Sequence, residues 1–431
     1  MIKGVLNNLK DKYLPSGSFR NNFFTMATGR SISQLIPLLM TPILTRLYTP
    51  TDFGVFAIFI SIVTVLSLLS NGRYNLAITL PKKPEKAFDL LILCVFGVLS
   101  VTLFSFLIII FFESPLLKVL SLEDNKSFLL FVPIGVLIVA LIESVYYWLL
   151  RLNSYKFLSN NFVIQTAVVT VFKLGFAFLA WGWFGLIFAH ILGSLLSLIL
   201  LVLHVVKTFP FSNTIKEWSA RSLLRTAKEY KEFPFFSLPA DGINSIATQL
   251  PNLLLNSLFG TNIVGYYSLS QRVLGLPISF VSSAMTDVFR ERASADYREK
   301  GSCRGIYKET LKYLSLFSII PFVLLFIFSP TIIPILLGEQ WIEAGIYIRI
   351  LTIMFMMRFI ASPLGSTLYI NGKQKYLLIW QIVLLVFTIL SFYIGNLIGD
   401  QKTSLILFSG SYSIMYLILI ILGYKFSIRN K

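Results

Sequence analysis

Charge is what this sequence has least of. Of its 431 residues only 13% are Asp, Glu, Lys or Arg, about half the share usual in water-soluble domains, while 56% are hydrophobic and the mean hydropathy is +0.77. A soluble fold with that balance could not cover its own surface, so the chain is expected to be an integral membrane protein. Acids are scarcer than bases, 20 against 37, leaving a formal net charge of +17. In a membrane protein such a bias marks the cytoplasmic side and anionic lipid headgroups, and nucleic acid drops out as a partner.

Cysteine and histidine are nearly missing too. Cys94 lies in an apolar run and Cys303 in a basic stretch, which excludes a disulfide framework, and no metal-ligand spacing exists. His190 and His204 stand far apart on one apolar segment and read as helix-interface residues, so neither a metal nor a cofactor is expected. Paired carboxylates, a nucleophile constellation and a Gly-rich phosphate loop are all absent, which argues against an enzyme. The first 20 residues are polar and carry Lys3, Lys10, Lys12 and Arg20. The apolar stretch behind them is too long for a signal-peptide core and contains Arg30, Pro37 and Pro42; it is expected to be an uncleaved first span behind a cytoplasmic leader.

Long apolar runs are what the chain has in plenty. A spanning helix needs about 20 mostly apolar residues. Such segments fall at 21–48, 53–79, 87–112, 127–150, 157–181, 183–206, 233–259, 263–288, 309–329, 344–370, 376–398 and 403–424. The closest pairs are divided by Trp181-Gly182-Trp183-Phe184-Gly185 and by Gly260-Thr261-Asn262, each predicting a tight turn between antiparallel helices. Charge tests the count. With a cytoplasmic N-terminus, the segments 1–20, 80–86, 151–156, 207–232, 289–312, 371–375 and 425–431 hold 27 Lys and Arg. The opposite loops hold only Arg46, Lys118, Lys126 and Lys402, as the positive-inside rule requires. The expected architecture is therefore all-α: twelve transmembrane helices with both termini cytoplasmic.

The longer loop 207–232 divides this array into an N-terminal lobe, 1–206, and a C-terminal lobe, 233–431. Its segment Trp218 to Tyr230 interleaves apolar positions with Arg221, Arg225 and Lys228, and reads either as a helix lying on the inner membrane face or as a solvated basic linker. An offset of 211 residues lays the first span of the second half on the first span of the chain. Arg30, Gln34, Thr41 and Thr45 then fall on Asp241, Ser245, Asn252 and Asn256, and each set keeps to one helical face. Polar residues inside a membrane are costly and turn toward a bundle interior or a water-filled cavity. Two pseudo-symmetric six-helix lobes around a central cavity, with those residues lining it, is the sequence form of an alternating-access transporter.

Several short motifs carry a family resemblance. Ala27-Thr28-Gly29-Arg30 opens the first span, and Thr45-Arg46-Leu47-Tyr48-Thr49-Pro50-Thr51-Asp52-Phe53-Gly54 closes it. Tyr74-Asn75-Leu76-Ala77-Ile78 and Pro81-Lys82-Lys83 follow; Phe259-Gly260, Gly265-Tyr266-Tyr267 and Arg272 repeat the pattern in the second half. Across its whole length the chain resembles the Wzx-type O-antigen flippases of the multidrug/oligosaccharidyl-lipid/polysaccharide exporter superfamily. The resemblance implies a bacterial inner-membrane transporter that moves undecaprenyl-pyrophosphate-linked oligosaccharide from the cytoplasmic to the periplasmic leaflet. It also leaves room for a coupling ion, H+ or Na+, and for association with a polysaccharide polymerase and chain-length proteins.

The intramembrane charges suit that substrate. Arg30, Arg73, Lys173, Arg272, Arg349 and Arg358 lie inside predicted spans, against Glu143 and Asp241 as the clear acids. A guanidinium fork binds phosphate oxygens bidentately. Arg272, near mid-depth, is the leading pyrophosphate ligand, with Arg358 and Arg30 beside it. Arg349 and Arg358 stand about 180° apart on one helix, so at most one faces the cavity squarely. Arg73 and Lys173 read as snorkelling side chains, and Arg30 and Asp241, at equivalent depths, as a salt bridge. A drug or cation antiporter of the same superfamily calls for an acidic cavity, which the basic excess opposes. A membrane-bound polymerase or ligase needs larger external loops than the chain has.

Overall fold

The computed structural model describes residues 19–123, 126–209 and 219–428. The polar leader and the parts of the 207–232 and 425–431 segments numbered 210–218 and 429–431 lie outside them. Every regular element in the described residues is helical. In chain order these are α1 (Phe19–Leu47), α2 (Pro50–Ser70), α3 (Tyr74–Ala77), α4 (Pro84–Val119), α5 (Phe128–Arg151), α6 (Tyr155–Phe178), α7 (Gly182–Thr208) and α8 (Ala220–Glu229). There follow α9 (Leu238–Phe259), α10 (Thr261–Pro277), α11 (Ser283–Lys300), α12 (Arg304–Leu337), α13 (Ile342–Leu364), α14 (Ser366–Ile370), α15 (Gln374–Ile398) and α16 (Gln401–Lys425).

Among the described residues nine helical stretches are long and apolar enough to cross a membrane: α2, α4, α5, α6, α7, α12, the stretch Glu339–Ile370 built on α13, α15 and α16. Helices α1, α9 and α10 are not in that set. They are the helices that carry Arg30, Asp241 and Arg272; α10, with 17 residues, is also shorter than any of the nine.

The tight turns expected at 181–185 and 260–262 are present. Ala180 and Gly182 take left-handed φ of 54° and 52°, and Gly260 a φ of 94°. Two other expectations need correction. The segment 53–79 is not one helix: α2 stops at Ser70, and the chain turns through left-handed Gly72 (φ 55°) and Arg73 (φ 59°) before the single turn of α3. Nor is 289–312 a loop. After a π-helical turn at Ile278–Ser282 the chain continues as α11 to Lys300, and α12 begins at Arg304. Hydropathy marks where a helix leaves lipid, whereas Arg, Glu, Lys and Ala are good helix formers that carry it onward.

The chain forms two compact units interleaved in sequence. The first comprises Met1–Leu47, Ile62–Leu116 and Asp124–Gly242; the second Tyr48–Ser61, Leu117–Glu123 and Ile243–Lys431. In the first, α1 packs along α6, α6 along α7 and α7 along α5. Ala77, Leu90, Cys94, Trp148, Leu158 and Leu201 form its buried core. In the second, α12 packs on α13, α15 on α16, and α13 on both α16 and α10. Backbones come closest in the second unit at two glycines. A Cβ on Gly54 would fall on the Thr261 carbonyl, and one on Gly265 on the Pro50 carbonyl.

Candidate functional site

Each unit contains a polar cluster. In the first it begins with the turn after α2. The Asn71 amide donates to Ser67 O (3.3 Å), Ala140 O (3.4 Å) and Glu143 Oε2 (3.2 Å), and its carbonyl oxygen accepts from Ser144 Oγ (2.6 Å). Pinned to α5 in this way, the left-handed turn aims Arg73 inward. Its Nε and Nη2 both reach Asp241 Oδ2, at 2.7 and 2.5 Å, and its Nη1 lies 3.7 Å from Glu143 Oε1. One guanidinium thus serves two carboxylates. A non-glycine residue in this backbone region costs about 1–2 kcal/mol and persists where its surroundings hold it.

Arg73 is therefore no snorkelling side chain. Its re-aimed guanidinium takes the acid that depth alone assigned to Arg30. Arg30 itself donates from Nη2 to the Tyr146 hydroxyl (2.9 Å), with its guanidinium 5.5 Å from the Phe162 ring centre. Arg30, Glu143, Tyr146, Tyr147, Asn161 and Gln165 line a cavity of about 370 Å³ inside this unit.

The second unit holds a larger, half-open cavity, about 530 Å³. Arg358 stands in its wall with Tyr267 and Gln271 of α10, Trp380 and Gln381 of α15, and Phe408, Tyr412 and Tyr416 of α16. Helix α9 contributes Asn244, Thr248 and Gln249. Arg272 is half-buried one position beyond Gln271, outside that wall, and makes no hydrogen bond or ion pair among the described residues. Arg349 is engaged differently. Pro330 has no N–H to give the Phe326 carbonyl four residues back, and Arg349 supplies donors instead, Nε to Phe326 O (3.0 Å) and Nη2 to Ile327 O (3.2 Å).

The remaining polar positions divide likewise. Gln34 is exposed, while Thr41 and Thr45 are buried and donate back to the Pro37 and Thr41 carbonyls of their own helix, at 2.6 and 2.9 Å. Ser245, Asn252 and Asn256 are buried: Asn252 donates to Ser61 Oγ (2.8 Å), which donates to Gln249 Oε1 (2.9 Å). Asn256 donates to the Leu120 carbonyl and accepts from Thr261 Oγ1. The cavity takes the adjoining face of α9, at Asn244 and Thr248. Sequence reasoning passed over Arg73 and the aromatic wall. The Asn71-Gly72 turn dipeptide and the four-residue spacing of Phe408, Tyr412 and Tyr416 were the available signals.

Known proteins bear on this arrangement. A family described as "Polysaccharide biosynthesis protein" matches residues 43–346. The "Teichuronic acid biosynthesis protein TuaB" of Bacillus subtilis (strain 168) is 23% identical over 180 residues, covering 42% of this chain and 37% of that protein. The chain aligns with under half the length of the first curated relatives it matches. Among solved structures, the lipid II flippase MurJ in an inward closed conformation superposes with a TM-score of 0.76 at 14% identity, covering 93% of this chain and 87% of that one. An inward-facing multidrug resistance MATE family transporter of the MOP superfamily gives 0.71 at 13%, covering 92% and 97%. At such identities the likeness speaks for the fold: this is a membrane transporter fold.

Proposed function

Since the chain belongs to the polysaccharide biosynthesis protein family, we propose that it is a flippase, not an enzyme, carrying undecaprenyl-pyrophosphate-linked oligosaccharide from the cytoplasmic to the periplasmic leaflet by alternating access. In this reading α1, α9 and α10 join the nine apolar stretches to make twelve spans, in lobes 1–206 and 233–431 joined by the linker 207–232. Both termini face the cytoplasm.

The observation that carries the reading is the state of the intramembrane arginines. An arginine near mid-membrane costs about 2.5–3.5 kcal/mol on insertion scales. Arg349 and Arg73 recover that cost within the protein, through carbonyls and carboxylates respectively. Arg272 and Arg358 have no such partner among the described residues. A pyrophosphate supplies one, and Arg30, which among the described residues meets a tyrosine hydroxyl and a ring, is a third ligand along the passage. The two carboxylates beside Arg73, Glu143 and Asp241, are where a coupling H+ or Na+ would bind. A cation exporter is disfavoured because no Asp or Glu is among the described residues lining the larger cavity.

Arg272→Ala tests the reading. In a host whose own copy is deleted, it should abolish surface polysaccharide while membrane abundance stays near normal, and Arg272→Lys should restore part of it. Full display by the Ala variant at native abundance refutes the assignment. Cysteine tags at Ser121 and Gln401 should react from the periplasm and tags at Ser222 and Gly372 from the cytoplasm; one reversed pair overturns the topology.

A further inference from the structure

The larger cavity has a chemistry of its own. Its 530 Å³ is within the range of sites that hold small molecules, roughly 300–1,000 Å³. One wall is aromatic. Phe408, Tyr412 and Tyr416 follow each other on one face of α16, with ring centres 4.4 and 6.1 Å apart, and Trp380 lies 5.4 Å from Tyr416. Most polar handles of these rings are already used. Trp380 Nε1 donates to Met415 O (2.7 Å), Thr388 Oγ1 to the Tyr412 hydroxyl (3.1 Å), and Gln271 Nε2 to the Tyr267 hydroxyl (2.7 Å). These bonds hold the rings still, so what they offer is their apolar surface.

The same cavity is also lined by groups with hydrogen bonds still to make. Asn244, Gln381 and the Tyr416 hydroxyl have no hydrogen-bond partner among the described residues, and the Arg358 guanidinium lies 5.8 Å from the Phe355 ring centre with no carboxylate or carbonyl to meet it. A lipid chain would leave the amides and the arginine unsatisfied. An organic cation would meet Arg358 with no acid to offset it. A bare inorganic anion would leave the aromatic wall uncovered. One class of ligand answers all three features: a sugar ring, whose C–H face lies on aromatic rings and whose hydroxyls meet amides, with an oxyanion at its edge.

We propose that this cavity is a glycan subsite, in which Trp380, Tyr412 and Tyr416 stack a sugar ring, Gln381 and Asn244 bond its hydroxyls, and Arg358 holds an oxyanion attached to that ring. The assignment deepens the flippase reading and rests on it, naming where the sugar end of the substrate is recognised. The oxyanion is either the phosphate on the anomeric carbon or a carboxylate of an acidic sugar, and the two are separable by experiment.

The full chain in nanodiscs is titrated with the 1-phosphates of glucose, galactose and N-acetylglucosamine, with methyl glucuronide, with methyl glucoside and with inorganic phosphate. At least one sugar anion should bind about tenfold or more tighter than the last two, the size of one charge-assisted hydrogen bond. A preferred sugar phosphate points to the anomeric phosphate, a preferred glucuronide to an acidic sugar. Arg358→Gln should reduce that ligand to the affinity of the neutral glucoside. Trp380→Leu and Tyr412→Leu should weaken the sugar anion about tenfold and leave phosphate unchanged. Tyr416→Phe and Gln381→Leu, which preserve packing, should each give a smaller loss in protein that elutes as the parent does. Equal binding of phosphate alone or of the neutral glucoside, no binding of any probe, or unaltered affinity in the aromatic variants overturns the proposal. The same variants are placed in a deletion strain. If deletion abolishes surface polysaccharide and the aromatic variants restore it fully, the subsite fails and the flippase reading stands. If deletion changes nothing while sugar anions still bind as described, the flippase reading fails and the subsite stands.

Discussion

Replacing Arg73 probes the most heavily constrained point of the first unit. Its guanidinium side chain is 15% exposed, and its partners Glu143 and Asp241 are 31% and 40% exposed. Removing one member of a fully buried ion pair costs about 3–5 kcal/mol, because the other charge is left unmatched. Partial exposure of both acids lowers that figure, since solvent screens exposed charges, and about 2 kcal/mol is the expected loss for Arg73→Ala. Backbone strain adds a second, separable effect. Residue 73 sits at φ 59°, so alanine inherits the left-handed strain whereas glycine escapes about 1 kcal/mol of it. Arg73→Gly should thus be more stable than Arg73→Ala, and both less stable than the parent. Adding Asp241→Asn and Glu143→Gln to Arg73→Ala removes the unmatched charges and should recover most of the loss. The assay is the fraction of detergent-purified protein that still elutes as a single species after graded heating. Parental stability of Arg73→Ala, or no recovery in the triple variant, would refute the argument. Identical melting of the Ala and Gly variants would remove its conformational half.

Two further outcomes follow from packing. Gly54→Ala and Gly265→Ala place a methyl on a backbone carbonyl that cannot yield, a cost beyond the usual 1–3 kcal/mol or so of overpacking; both should sharply reduce folded protein in the membrane, while Gly175→Ala, with open space around it, should not. Buried Asp89 accepts from Ser222 Oγ (2.7 Å) and Thr226 Oγ1 (2.9 Å) and so holds α8 against α4; Asp89→Ala should speed tryptic cleavage at Arg225 about tenfold or more, whereas Lys86→Ala, which breaks only the exposed pair with Glu229, should barely change it.

Hydropathy and charge alternation make the helical segments and their tight turns readable, because lipid penalises unpaired backbone and misplaced charge along the whole chain. What they miss is local. The Asn71-Gly72-Arg73 turn sits where Leu76, Ala77 and Ile78 continue the apolar run, so a window average passes over it. Once the helix is taken as continuous, Arg73 points to the interface and Asp241 is left for Arg30. The polar stripe of α9 is ambiguous for another reason. Ser245, Asn252 and Asn256 have the period of a lined cavity, but buried amides joining elements within a unit have the same period. Only the partner distinguishes the two, and the partners Ser61, Leu120 and Thr261 lie on other segments.

Arg349 and Arg358 give the sharpest form of this limit. They are one residue type on one helix, nine positions apart, and the sequence charges both with the same insertion cost. The helix also sets them on opposite faces, so it says that their roles differ without saying how. The answer is a proline on α12. Because Pro330 leaves the Phe326 carbonyl without its helical donor, Arg349 is consumed in mending that helix. No such vacancy faces Arg358, whose surroundings are rings and amides. An intramembrane arginine is thus informative about substrate only after the donors missing from its neighbours have been counted. By that count Arg272 and Arg358 are the two without such a donor-starved neighbour among the described residues, which is why the anion is proposed for them.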